Sequence, residues 1–152
     1  MKHAIAAFLF VLILAGKPIL ANSDETRQLL LVTGAHSDIS SLSASETRRL
    51  FLGFPITKNG HQLEAAINHS DPFLYEVFLQ KIVYMSSPAY ERHLLTNVIQ
   101  LGGQRPQSFD DTRSLINTLK ESPGTITLLW DKDVRNHPNL VILGEVWHGT
   151  VE

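Results

Sequence analysis

The run LLLVTG (Leu29 to Gly34) places four apolar side chains in a row before Thr33 and Gly34. Alternate residues of a strand point to opposite sides of a sheet, so a run like this belongs to a strand covered on both faces, the pattern of parallel sheets. A chain built around it needs a layer on each side, and helices are what the rest of the sequence offers. TITLLW (Thr125 to Trp130) is a second strand-like run and LVILGEV (Leu140 to Val146) a third. The element order reads β-α-β-α-α-α-β-β. It implies an α/β fold, a small mixed sheet of about four strands flanked by helices. No repeat or low-complexity tract interrupts it, so one domain is expected.

Local signals place the helices. Ser43 and Glu46 form the S-x-x-E pattern of a capping box, Thr47, Leu50 and Phe51 share a face, and Gly53 ends that helix. Asn59-Gly60 marks a tight turn, and His61 to Ile67 reads as the next strand. NHSDPFLYEVFLQKIV opens a helix with Ser70 as cap, Pro72 in the first turn, and Phe73, Val77, Phe78 and Ile82 at helical spacing. Ser87 and Pro88 start another, stopped by Gly102-Gly103. A last helix is expected from about Phe109 to Glu121, with Ser108 and Asp111 as a near capping box.

The first 21 residues have the form of a secretory signal peptide. Lys2 precedes an apolar run from Ala4 to Gly16, and the small residue Ala21 stands at the expected cleavage point. That run is far shorter than the roughly 20 residues that span a bilayer, and no later stretch is apolar enough to do so. Residues 22–28 read as a polar leader and 29–152 as the domain. Loss of Lys2 and Lys17 leaves 11 basic residues against 15 acidic ones, a formal charge of −4. An acidic chain argues against nucleic acid as a partner and gives no general attraction to anions. The chain has no cysteine, which removes disulfides, thiol nucleophiles and thiolate metal sites and fits a periplasmic location.

Motifs of catalysis are missing. Six histidines remain after export (His36, His61, His69, His93, His137 and His148), with no H-x-x-x-H or H-E-x-x-H pair among them. There is no G-x-S-x-G elbow, Walker A loop or G-x-G-x-x-G loop. Asp131 and Asp133 in WDKDVRNHPN lack the further oxygen ligands of a calcium loop. No metal, cofactor or enzymatic activity is expected. Arg48 and Arg49 read as solvated charges opposite the apolar face of their helix, and Trp130 and Trp147 as packing at strand ends.

The residues Ser41-Leu42-Ser43, Glu46, Arg48-Arg49-Leu50-Phe51-Leu52-Gly53, Asn59-Gly60, Ser70 to Phe78, Gly103 with Pro106, and Ser122-Pro123-Gly124-Thr125-Ile126 form an ordered set. Over about Leu29 to Leu129 the chain resembles the small phosphate-ABC-transporter substrate-binding-like proteins of the periplasmic binding protein superfamily. The resemblance implies a single lobe of a fold that usually has two lobes closing on a ligand. It also implies a phosphate site made from serine and threonine hydroxyls, backbone N–H groups at helix starts, and an arginine.

The Ser70 helix resembles the part of that site reading R…SGT…F, with two departures. Asp71 and Pro72 replace the glycine and threonine, and residues 65–69 read AAINH where the arginine would stand. The candidate ligand residues are therefore His69 and Ser70, with Ser37, Ser40 and Ser41 in the loop after the first strand as a second group. The expected function is a non-enzymatic periplasmic protein that acts by binding, as an accessory or sensory partner of a membrane protein. The alternative is a phosphate- or oxyanion-binding component of an ABC import system.

Overall fold

A computed structural model describes residues 25–151; the expected signal peptide lies outside them. The chain runs β1 (Glu25–Thr33), α1 (Ala44–Phe51), β2 (Thr57–Lys58), β3 (His61–Gln62), β4 (Glu64–Asn68), α2 (Pro72–Phe78), α3 (Ser87–Leu101), β5 (Gln107–Phe109), α4 (Thr112–Glu121), β6 (Thr125–Trp130), α5 (Asp131–Arg135) and β7 (Val141–Val151). A π-helical turn, Leu79–Val83, continues α2. Four of the seven leader residues, from Glu25 to Gln28, are part of β1, where they pair with the far end of β7.

The five-stranded sheet has the order β5-β4-β6-β1-β7. β4 is parallel to both β5 and β6, while β1 is antiparallel to both β6 and β7. The fold is the expected α/β arrangement with a mixed sheet, but the opening strand corrects one expectation. β1 is apolar on both faces because it lies inside the sheet with helices on either side, not because its neighbours are parallel. Leu29 and Leu31 face a core shared with α1, α2 and α3, whereas Leu30 and Val32 face α4 and α5. The fifth strand, β5, has three residues, too few to carry an alternating pattern.

Caps and turns explain the remaining boundaries. Ser43 accepts from the Glu46 N–H at 3.1 Å and Glu46 accepts from the Ser43 N–H at 2.7 Å, which completes the capping box. Asn59 and Gly60, at φ 51° and 80°, make the primed turn joining β2 to β3. α3 is capped by Ser86, one residue before the expected Ser87, and α4 by Asp111 with Ser108 inside β5. Gly34 ends β1 where a Cβ would sit 1.9 Å from the Leu119 carbonyl oxygen, so the packing of α4 against the strand end admits no side chain there.

Candidate functional site

The three parallel strands end together, and each leads into a helix start. β4 ends at Asn68 before α2, β5 at Phe109 before α4, and β6 at Trp130 before α5. Helix N-termini gathered at the carboxyl ends of parallel strands form the usual anion-binding edge of an α/β fold, because unpaired N–H groups point outward there.

At α2 and α4 the chain's own carboxylates take those positions, while α5 has no side-chain cap. Asp71 Oδ1 accepts from the N–H groups of Phe73 and Leu74 at 2.8 and 3.3 Å, and its Oδ2 accepts from the Trp130 indole N–H at 2.8 Å. Asp111 Oδ1 accepts from the Ser114 N–H at 2.8 Å. Asp131 and Asp133 occupy the first turn of α5. Burial pushes the Asp71 carboxyl up, but the bonds from Trp130, Leu74 and Phe73 and the charge of Arg27 outweigh it and hold it below the ordinary range. The Ser114 backbone bond likewise holds the exposed Asp111 low. Burial holds Asp133 above its usual range; Lys132 and His137 pull it down, while Asp131 and Asp71 push it further up. An incoming anion would face this negative field.

Ser70 is not the helix cap; that is Asp71. Pro72 occupies the first helical position and so makes the residue just before it the cap. The Ser70 hydroxyl donates to Asn68 Oδ1 at 2.6 Å and its backbone N–H does so at 3.0 Å. It accepts from the Thr112 hydroxyl at 3.0 Å, and Asn68 Nδ2 donates to the Leu128 carbonyl at 3.0 Å. This network ties β4, α4 and β6 together and uses the single proton that Ser70 could offer a ligand. His69 lies beside it, its N–H donating to the Phe109 carbonyl at 2.7 Å and its ring packed on Tyr75 with centroids 4.2 Å apart.

The serine loop is elsewhere. Thr33 at the end of β1 pairs with Ile126, which pairs with Ala65 near the start of β4. Ser37, Ser40 and Ser41 therefore follow the opposite end of the sheet from Ser70. The Asp38 carbonyl accepts from Asn59 Nδ2 at 3.1 Å, which fixes this loop to the β2–β3 hairpin. Ser37 Oγ accepts from the Ile39 N–H at 3.3 Å, while Ser40 and Ser41 are exposed. The structure brings His69 and Ser70 together and does not bring the three loop serines to them.

Sequence reasoning missed Asn68, Thr112 and Trp130 as partners in this edge. A signal for the cap was present in Asp71-Pro72; nothing local pointed to the other three, which meet through the sheet. Trp130, Phe73 and Trp147 form one aromatic cluster, with Phe73 stacked on Trp130 at 5.9 Å and Trp147 edge-on to both. Arg27 lies 5.8 Å from the centre of the Trp130 ring.

No protein-family model and no curated protein matches the chain. Among solved structures it is similar to the crystal structure of a possible phosphate binding protein from Planctomyces limnophilus DSM 3776, with a TM-score of 0.56 and 10% sequence identity. The match covers 79% of this chain and 42% of that one, so the chain spans about two fifths of that protein's length. The chain has the α/β fold of part of that protein. At this identity the likeness concerns the fold alone, a mixed sheet flanked by helices.

Proposed function

We propose that the chain is a non-enzymatic periplasmic protein that acts by binding, as an accessory or sensory partner of a membrane protein. The observation that carries this reading over phosphate carriage is Asp71. Its carboxylate takes the α2 N–H groups that a phosphate would use, and Trp130 holds it there. The exposed face of α3 supports this reading. Leu95, Val98, Ile99 and Leu101 are all exposed, Ile99 by 78%, and the first three lie on one helical face. An apolar stripe of this kind on a helix is costly in water and is characteristic of contact surfaces.

The test is a photo-crosslinking side chain placed at Ile99 in the exported protein. The expected result is a discrete adduct with a membrane protein, abolished by Leu95→Asp. Crosslinks no different from those of a probe at the exposed Asn117 would overturn the reading. The second reading, a phosphate- or oxyanion-binding component of an ABC import system, is favoured by the name of the solved neighbour and by the convergence of three helix starts. It requires phosphate to displace Asp71 or to bind beside it.

A further inference from the structure

A second cleft, away from the Asp71 edge, has the make-up of a ligand site. It opens between α1, the π-helical turn and β7, and encloses about 580 Å³, within the range of small-molecule pockets. Its floor is apolar: Leu31, Ile82 and Leu143 are buried beneath it, with Leu42 and Val146 partly buried at its sides.

Its wall carries two cations. Arg48 has a fully buried Nε with no hydrogen-bond partner, and its one bond, from Nη2 to the Val83 carbonyl, is 3.5 Å long. Neither Arg48 nor Lys81 forms an ion pair among the described residues. The one carboxylate lining the cleft, Glu145, accepts from His148 Nδ1 at 2.7 Å. A guanidinium with a buried, unpaired N–H lacks the partner such groups ordinarily have.

The backbone beside it is unusual. The chain leaves the π-helical turn through Tyr84, a non-glycine residue in the left-handed conformation at φ 57° and ψ 43°. Single π-turns and left-handed non-glycine residues concentrate at functional sites, because both cost energy that ordinary helix would avoid. The effect here is to project Tyr84, 68% exposed, over the cleft with its ring 5.7 Å from the Arg48 guanidinium.

We infer that this cleft binds an amphipathic anion, a carboxylate carried on an apolar tail or ring, with Arg48 and Lys81 on the carboxylate and Leu31, Ile82 and Leu143 against the tail. Inorganic phosphate would leave the apolar floor unused and is not the ligand of this site. The inference rests on the reading of the chain as a binding protein, and names a small ligand for it that is independent of the α3 contact.

The test is calorimetric titration of the purified protein with decanoate below its micelle concentration, beside decanol and acetate. Saturable decanoate binding is expected, with decanol and acetate each much weaker. Arg48→Gln should weaken decanoate by about tenfold or more, and Arg48→Lys, which keeps charge but loses the fork, by less. Lys81→Gln, at an exposed position that leaves folding intact, should weaken it severalfold. No saturable decanoate binding, equal affinity for decanol, or unchanged affinity in both Arg48→Gln and Lys81→Gln would overturn the inference. The Ile99 crosslink is scored separately, so failure of this site and failure of the partner reading are distinguishable.

Discussion

Asp71 and Trp130 are joined by a 2.8 Å bond in which the indole N–H donates to the carboxylate that also caps α2. One side chain thus fixes the start of a helix and the end of the strand beside it. The same bond holds a negative charge at the α2 start at neutral pH.

Asp71→Asn tests that double role. Asparagine is as good a cap as aspartate, so the Phe73 bond survives, but where Asp71 offered two acceptor oxygens the amide has only one. The expected loss is about 1–3 kcal/mol at pH 7, from the unsatisfied Trp130 N–H, measured by urea unfolding. Asp71 is depressed in the folded chain. Its contribution is present above the unfolded carboxylate value of about 3.9 and is lost as pH falls through the lower folded value, so wild type and variant should converge in acid.

Asp133 has the opposite sign. Its folded carboxyl titrates above the ordinary range because burial disfavours the charge. The cost is absent when both states are protonated and appears as pH rises through the folded value. Asp133→Asn should therefore raise the melting temperature at pH 7 and leave it unchanged near pH 3. An equal shift at both values would show that desolvation of the charge is not the cause.

Asn68→Ala should cost more than Ser70→Ala. Asn68 is 4% exposed and holds both the Leu128 carbonyl and Ser70, while Ser70 is only partly buried. Losses of about 2–3 and about 1 kcal/mol are expected in denaturant unfolding. The reverse order would show that Asn68 is not the centre of this network.

Leu95→Asp should leave stability within about 0.5 kcal/mol of wild type, since the side chain is exposed, while removing the partner crosslink from position 99. Marked destabilisation would mean that the α3 stripe packs within the fold.

Much of this architecture is legible from short-range chemistry. The Ser43–Glu46 box, the Asn59-Gly60 turn and the TITLLW strand all depend on neighbours within a few residues, and each is present as read. Strand direction is not local: LLLVTG is equally apolar in a parallel or an antiparallel setting, and only the pairing of Thr33 with Ile126 decides. The same limit applies to the site. Ser37 and Ser70 both follow strand ends in sequence, yet β1 and β4 run in opposite directions, so their loops lie at opposite ends of the sheet. Arg48 reads as a solvated helix charge because Tyr84, Val83 and Lys81 reach it only through the π-helical turn.

The most direct test of the central claim is calorimetric titration of residues 22–152 with inorganic phosphate at near-neutral pH and moderate salt. With Asp71 seated on the α2 start and Ser70 committed to Asn68, no saturable heat and no thermal stabilisation are predicted up to millimolar phosphate. Saturable micromolar binding, lost in Ser70→Ala, would contradict the account and make the helix start a working phosphate site.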